Sequence, residues 1–177
     1  MTRLVNEVVM PFAGMHLLDF GCGNGRLVKF LPGVTYTGVD NNPSYVGGAQ
    51  STLASRDVKF YCQDLNELAG MGLEPVDVVV CIGVLHHLSQ DVAIPALGAA
   101  AALLREGGRL ITMDPCFEPS QSPVARVLMA LDRGKFVRHP EGYRELISHS
   151  FRVTSERLWD DVYKFPYTHF VTESTPI

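Results

Sequence analysis

Short apolar runs alternate along this chain with longer segments whose apolar residues recur at helical spacing. The first five runs lie at 16–20, 34–40, 58–64, 76–83 and 109–114. The fourth is almost continuously apolar, which is typical of a parallel strand covered by helices on both faces. The pattern predicts an α/β fold with helices on both sides of a mostly parallel sheet.

The remaining segments complete this prediction. Helices are expected within 1–15, and at 45–53, 91–105 and 141–150, with Glu106-Gly107-Gly108 ending the third of them. Two alternating runs, 152–158 and 168–174, lie on either side of a turn around Pro166 and predict a closing hairpin.

Residues 115–140 interrupt the alternation after the fifth predicted strand. Ser122-Pro123 predicts the N-cap and first turn of a helix within them. An insertion at this point lies above the C-terminal edge of the sheet, where ligands of open α/β folds bind. We therefore expect 115–140 to form a substrate lid.

Length and composition favour one globular domain over the whole chain, 1–177, since 46% of its 177 residues are hydrophobic. The formal net charge of −4 disfavours nucleic acid as a partner, because that binding depends on Lys and Arg. Four widely separated cysteines without metal-ligand spacing predict reduced thiols and no metal site. No signal sequence or membrane-length apolar run is present, so we expect a cytoplasmic protein with no membrane partner.

The first predicted strand runs into a glycine-rich turn. After 16–20 come Gly21, Gly23 and Gly25, and then apolar residues at helical spacing. Glycine permits backbone angles that a side chain forbids and lets a ligand approach the main chain. A helix starting there would present unpaired N–H groups to the same ligand. Strand, turn and helix together predict the first half of a nucleotide-binding unit.

Two details of this turn bear on which nucleotide it binds. The dinucleotide fingerprint places its third glycine one residue later, where this chain has Arg26. Asp19 puts a carboxylate at the mouth of the turn, where a pyrophosphate would meet a like charge in a partly desolvated site. The same charge favours a ligand that carries an ammonium and a sulfonium. Asp19 therefore favours S-adenosylmethionine over NAD as the cofactor.

Residues 16–25, His-Leu-Leu-Asp-Phe-Gly-Cys-Gly-Asn-Gly, resemble the first signature motif of the class I S-adenosylmethionine-dependent methyltransferases. Later segments match that family in order and spacing, from about Leu17 to Ser174. The resemblance implies a doubly wound, Rossmann-like sheet of seven strands in the order 3-2-1-4-5-7-6, with the last strand antiparallel. Val84–Leu88 resembles the family's small-molecule branch (types 11 and 12). The Asn/Asp-Pro-Pro-aromatic turn of enzymes that methylate DNA amines or side-chain amides is absent there.

The resemblance also implies where the cofactor is held. Asp40 follows Gly21 by about 20 residues, the spacing at which a carboxylate reaches the ribose hydroxyls. In the family, an acid at the position of Asp64 accepts a hydrogen bond from the adenine amino group. As an alternative, each of these two acids caps the helix that follows it. The expected cofactor-binding residues are Asp19, Gly21, Cys22, Gly23, Asn24, Asp40, Asn41, Asp64, Leu65, Cys81 and Ile82.

The residues that contact the methyl acceptor are expected directly after the fourth and fifth strands and in the lid. His86 and His87 are candidate general bases, because histidine titrates in the useful range; as neighbours on a turn they cannot both face the site, and the alternative role is pocket wall. The family places substrate-facing residues at the positions of Asp114, Cys116 and Phe117. The lid cluster Arg133, Lys135 and Arg138 is a candidate clamp for a carboxylate or phosphate of the acceptor, with a solvated lid face as the alternative.

These observations predict an enzyme, an S-adenosylmethionine-dependent methyltransferase acting on oxygen, nitrogen or carbon of a small or medium organic acceptor. A first alternative is a non-catalytic, S-adenosylmethionine-binding partner of another subunit. A second is a dinucleotide-dependent oxidoreductase.

Overall fold

Strands and helices alternate along most of the chain. The computed structural model describes residues 1–55, 57–119, 121–130, 134–162 and 167–177. Its strands are β1 (His16–Phe20), β2 (Thr35–Asp40), β3 (Val58–Cys62), β4 (Val76–Ile82), β5 (Leu104–Pro115), β6 (Phe151–Trp159) and β7 (His169–Pro176). Its α-helices are α1 (Thr2–Leu4), α2 (Pro43–Leu53), α3 (Gln90–Leu103), α4 (Pro123–Ala130) and α5 (Pro140–Ser148). A π-helical turn follows α1 at Val5–Val9, and 3-10 segments lie at Arg26–Phe30, Leu65–Met71 and Leu85–His87.

The strands form one sheet in the order β3-β2-β1-β4-β5-β7-β6. Strands β1 to β5 run parallel, whereas β7 is antiparallel to both of its neighbours, β5 and β6. The predicted doubly wound, Rossmann-like sheet is therefore confirmed, together with its antiparallel last strand. The predicted hairpin corresponds to β6 and β7, while Pro166 lies outside the described residues.

A hydrophobic cluster covers each face of the sheet. Leu18 and Leu17, neighbours on β1, belong to opposite clusters because successive side chains of a strand point to opposite faces. Helices α3 and α5 contribute to the cluster around Leu18, and α1 and α2 to the cluster around Leu17. In β4, Val78 to Cys81 are all fully buried, as the continuous apolar run predicts. None of the helices in the described part of the chain combines the length and hydrophobicity that a bilayer span requires.

A helical segment follows the glycine turn as predicted, but it is shorter and more tightly wound than an α-helix. The chain forms only a five-residue 3-10 segment, Arg26–Phe30, which ends at Leu31 with a φ of −123° and a ψ of 59°. The next residue, Pro32, explains this early end, because proline disfavours the helical region for the residue before it.

The predicted end of the third helix is wrong. Helix α3 ends at Leu103, and Glu106-Gly107-Gly108 belongs to β5. The pairing of β4 with β5 is irregular there, since Val76 pairs with Leu104 but Val78 pairs with Arg109. The extra residues of β5 are accommodated at this irregularity, where Gly107 has a φ of +75°, a conformation that favours glycine.

Two further boundaries were predicted, the end of the first helix and the start of the helix within 115–140. The first lies earlier than expected, and the second is confirmed. Within 1–15, helical structure stops at Val9, because Met10 adopts a left-handed conformation with a φ of 44°. Within the predicted lid, Ser122 Oγ accepts a hydrogen bond from the backbone N–H of Ala125 at 3.2 Å. That is the contact of a helix N-cap, as predicted for Ser122.

Candidate functional site

A cleft of about 580 Å³ opens at the C-terminal ends of β1, β2 and β4. In an open α/β sheet this is the edge at which ligands bind. The residues that line it are Met1, Asp19, Gly21, Cys22, Gly23, Asn24, Arg26, Leu27, Asp40, Asn41, Asn42, Tyr45, Leu65, Ile82, Gly83, Val84, His87 and Leu88.

The glycine turn forms the floor of this cleft. Two of its glycines are required for close packing, and a third leaves the backbone accessible. A Cβ on Gly21 would lie 2.5 Å from Val84 Cγ2, and one on Gly25 would lie 2.6 Å from Phe60 Cε1. These two glycines therefore allow the turn to pack against Val84, which follows β4, and against Phe60 of β3. A Cβ on Gly23 would meet nothing within 4 Å, so the backbone at Gly23 is open to an approaching ligand.

Asp40, at the end of β2, is held by backbone groups. Its Oδ2 accepts a hydrogen bond from Gly23 N–H at 2.8 Å, and its Oδ1 accepts one from Asn42 N–H at 2.9 Å. Helix α2 is capped by Asn42 instead, whose Oδ1 accepts from the backbone N–H of Ser44. The capping alternative for Asp40 is thus wrong. Both of its carboxylate oxygens keep a further lone pair for a ligand hydroxyl.

Asp19, on β1, also lines the cleft and is 4% exposed. The buried hydroxyl of Tyr36 donates a hydrogen bond to its Oδ2. Burial raises the pKa of Asp19 to about 7; the hydrogen bond from Tyr36 opposes this rise, and the charge of Asp40 adds to it. A cation in the cleft would favour the ionised form of Asp19.

Most of the predicted cofactor residues line the cleft, and two do not. Those that do are Asp19, Gly21, Cys22, Gly23, Asn24, Asp40, Asn41, Leu65 and Ile82. Asp64 is exposed, and its backbone carbonyl accepts a hydrogen bond from Glu67 N–H at the start of a 3-10 segment. Cys81 is fully buried within β4, and burial raises the pKa of its thiol well above the ordinary value. The roles of Asp64 and Cys81 stay predictions.

Sequence reasoning missed several residues of the cleft wall. Asn42-Pro43 is a recognisable helix start, and it could have indicated that Asn42 and Tyr45 follow Asp40 into the cleft. Met1 carries no such signal, because only the packing of the N-terminal segment brings it to the strand ends.

The two adjacent histidines face different surroundings, as expected. His87 lines the cleft, whereas His86 is 6% exposed. The Nδ1 of His86 lies 2.7 Å from Asp114 Oδ1, and the same oxygen accepts the His86 backbone N–H at 3.1 Å. Asp114 is 1% exposed, and its Oδ2 has no hydrogen-bond partner among the described residues. A buried carboxylate therefore orients one histidine and leaves the other in the cleft.

The remaining predicted acceptor residues lie at the end of β5 and in the lid. Cys116 is buried, which raises the pKa of its thiol to about 12. Phe117 donates its N–H to the carbonyl of Arg138 at 3.1 Å. Neither residue lines the cleft, and Asp114 does not line it either.

The predicted basic cluster is not gathered around a shared anion site in the described residues. Arg133 lies outside them, and Lys135 is exposed. The guanidinium of Arg138 donates to three backbone carbonyls, which belong to Leu85 at 2.7 Å, Leu88 at 2.8 Å and Phe136 at 2.9 Å.

Comparison with known sequences identifies relatives of this chain. A family model described as a methyltransferase domain matches residues 18–110. A ubiquinone biosynthesis O-methyltransferase of Coxiella burnetii (strain Dugway 5J108-111) is 31% identical over 108 residues, which are 59% of this chain and 45% of that enzyme. The chain thus matches less than half the length of this curated relative.

Comparison with solved structures supports the fold. A TehB-like S-adenosylmethionine-dependent methyltransferase from Corynebacterium glutamicum superposes with a TM-score of 0.70 at 20% identity, over 99% of this chain and 86% of that one. Human N-acetylserotonin methyltransferase, in complex with S-adenosylmethionine, superposes with a TM-score of 0.69 at 19% identity, over 92% and 48% of the two chains.

Proposed function

The chain belongs to the methyltransferase-domain family, and on that basis we propose that it transfers a methyl group from S-adenosylmethionine to a small or medium-sized organic acceptor. The observation that carries the proposal is the pair of carboxylates at the ends of β1 and β2, in a cleft floored by glycine. The named relative is an O-methyltransferase, which favours a hydroxyl acceptor.

The residues of the cleft fit S-adenosylmethionine. Asp40 is fixed by two backbone N–H groups and can accept hydrogen bonds from ribose hydroxyls. Asp19 offers negative charge to an ammonium, and the open backbone at Gly23 admits the ligand closely. Leu65 and Ile82 supply apolar walls for a purine base. The bound cofactor supplies an electrophilic methyl group on a sulfonium.

On the acceptor side, we assign the general base to His86. Nδ1 lies 2.7 Å from Asp114 Oδ1; a proton on Nδ1 donated to this carboxylate would leave Nε2 to take a proton from an acceptor hydroxyl. The backbone of Gly134 covers this ring so closely that a Cβ there would lie 2.1 Å from His86 Cδ2. His87 forms the cleft wall.

The proposal is tested first by calorimetric titration of the protein with S-adenosylmethionine and with NAD. We expect binding of S-adenosylmethionine and none of NAD; the reverse result would contradict the proposal and favour the dinucleotide-dependent alternative. Methyl transfer from labelled cofactor to a panel of hydroxylated and amino-substituted aromatic and aliphatic acids then tests catalysis. Binding without transfer to any acceptor would favour the non-catalytic partner protein.

An anionic group on the acceptor is part of the proposal, with Lys135 and Arg133 as its predicted contacts. Paired acceptors with and without a carboxylate test this directly. We expect Lys135→Ala to raise KM for the carboxylated acceptor only; an equal KM change for both would contradict it.

A further inference from the structure

We propose that Arg138 is a positioning residue, which fixes the 3-10 turn Leu85–His87 beneath the lid segment, defined here as residues 134–139. The effect of this role on catalysis rests on the proposed function, because the turn carries the proposed base. The structural role itself does not depend on the cofactor or on the acceptor.

The contacts of the Arg138 guanidinium define the role. Its Nη1 donates to the carbonyl of Leu85, and its Nη2 donates to the carbonyl of Leu88. These two carbonyls bracket His86 and His87 in the chain. Charge-assisted hydrogen bonds are stronger than neutral ones, so both ends of the histidine pair are tied to one side chain.

The lid segment contacts the same turn at two further points. The backbone N–H of Phe136 donates to the carbonyl of His86 at 2.9 Å. Gly134 lies against the His86 ring, at a distance that leaves no space for a Cβ. A turn held by side-chain and backbone groups of one lid segment cannot change its angle to Asp114 unless these contacts break.

Arg138 is itself held from two other elements. Its backbone pairs with Cys116 just after β5. Its guanidinium carbon lies 5.7 Å from the ring centre of Tyr143 on α5, whose hydroxyl donates to the carbonyl of Pro115. A Cβ on Gly142 would lie 3.3 Å from Arg138 Cβ, so α5 packs closely on this side chain. The arginine therefore joins β5, α5 and the turn.

This geometry also distinguishes positioning from the anion clamp expected for Arg138. Among the described residues, no carboxylate lies within ion-pair distance of its guanidinium. Three of its five N–H groups are directed at carbonyl oxygens. The positively charged guanidinium of Arg138 therefore forms hydrogen bonds within the protein.

The test compares Arg138→Met and Arg138→Lys with Arg152→Met, a matched control on the exposed side of β6. Amide hydrogen exchange is measured in the cofactor-free protein. In Arg138→Met we expect exchange at Phe136 and His87 to accelerate about tenfold or more, which is the loss expected for hydrogen bonds to a charged group. Exchange at Gly23, whose N–H donates to Asp40, should stay at the wild-type rate. Arg138→Lys should show a smaller acceleration at the same amides. Its ammonium keeps the positive charge and can bind one of the carbonyls, but it lacks the planar fork that lets arginine bind both.

Cofactor affinity and kinetics provide the second readout. We expect Arg138→Met to bind S-adenosylmethionine within about twofold of wild type and to lose kcat far more than it changes KM.

Unchanged exchange at Phe136 and His87 would overturn the proposal, and so would equal acceleration throughout the chain. A rise in KM confined to anionic acceptors, with exchange unchanged, would instead identify an anion clamp. If Arg138→Met does not fold, Arg138→Lys decides by the same criteria. If wild-type protein does not bind S-adenosylmethionine, the proposed function fails while the exchange result still stands or falls by itself.

Discussion

The proposed donor and acceptor sides of the site are built in different ways. The donor side, defined as Asp19, the turn Gly21–Gly25 and Asp40, consists of residues close together in the chain, and its key hydrogen bond joins Gly23 to Asp40 across 17 positions. The acceptor side, defined as the turn Leu85–His87, the end of β5 and the lid segment, is assembled from distant residues. There Asp114 reaches back 28 positions to His86.

The difference concerns what holds each side in place. On the donor side, one strand, one turn and the next strand end fix the carboxylates, so the local sequence specifies the geometry. On the acceptor side, Arg138 reaches Leu85 across 53 positions, so the geometry depends on how β5, α5 and the lid segment pack together. Changes on the donor side should therefore affect cofactor affinity, and changes on the acceptor side should affect turnover.

The largest expected effect is on turnover, in His86→Asn. We expect kcat to fall about 100-fold or more, the range for loss of a general base, with little change in cofactor affinity. Steady-state kinetics with an identified acceptor and calorimetry measure the two effects. His149→Asn is the control, since His149 is exposed. A larger fall in His87→Asn would transfer the base to the cleft-lining histidine.

A comparable loss on the donor side is expected in Asp40→Ala, but in affinity. The change removes contacts to the ribose and leaves the N–H groups of Gly23 and Asn42 without their acceptor. We expect the Kd for S-adenosylmethionine to rise about 100-fold, because each charge-assisted hydrogen bond contributes about 1.5–3 kcal/mol. Calorimetry checks this, with the exposed Asp160→Asn as control. Unchanged affinity would make the ribose assignment wrong.

A smaller effect concerns the pH dependence of cofactor binding. Because burial raises the pKa of Asp19 to about 7 and an ammonium favours its ionised form, binding should release a proton below that pH. We expect affinity to fall as pH drops below 7, by up to about tenfold per pH unit, and to level off above it. Tyr36→Phe removes a hydrogen bond that lowers this pKa, so it should move the midpoint to higher pH; Tyr61→Phe should not. A pH-independent Kd between 5 and 8 would contradict this assignment.

The same pKa affects stability in the opposite direction. A buried carboxyl whose pKa in the folded protein lies above the unfolded value of 3.8 destabilises the folded protein when it ionises. Its contribution to the free energy of unfolding is therefore most favourable below pH 3.8 and is lost as pH rises through about 7. Urea unfolding of wild type and Asp19→Asn across this range isolates the contribution. The difference in unfolding free energy between the two should change with pH.

The smallest expected effect is on thiol reactivity. Cys62 is exposed, whereas Cys22 on the donor side and Cys116 on the acceptor side are buried, with thiol pKa values raised by burial. With iodoacetamide at pH 8, we expect fast alkylation of Cys62 and slow alkylation of the other two. Arg138→Met should raise alkylation of Cys116 a few-fold and leave Cys22 unchanged, as measured by peptide mass spectrometry. Equal acceleration at Cys22 would mean that the two sides are not independent.

The sequence predicted the sheet well and several local details poorly. The apolar run at 76–83 indicated the central strand, because burial on both faces of a sheet leaves a continuous apolar pattern. The acids that end the neighbouring runs indicated where those strands end. After Gly25 the apolar spacing predicts a helix of unspecified length, and Pro32 limits it to a short 3-10 segment. Glu106-Gly107-Gly108 predicts a helix end, because a helix terminus and an irregular strand position with positive φ both favour glycine.

By itself, the sequence determined the order of elements, the glycine turn and the carboxylates at the strand ends. These follow from periodicity and from backbone conformations that only certain residues adopt. Only the tertiary structure decided that His86 is held by Asp114 while His87 lines the cleft, and that Arg138 binds carbonyls of the histidine turn. Each of these depends on which side chains meet across long stretches of chain, and a local pattern carries no information about such contacts.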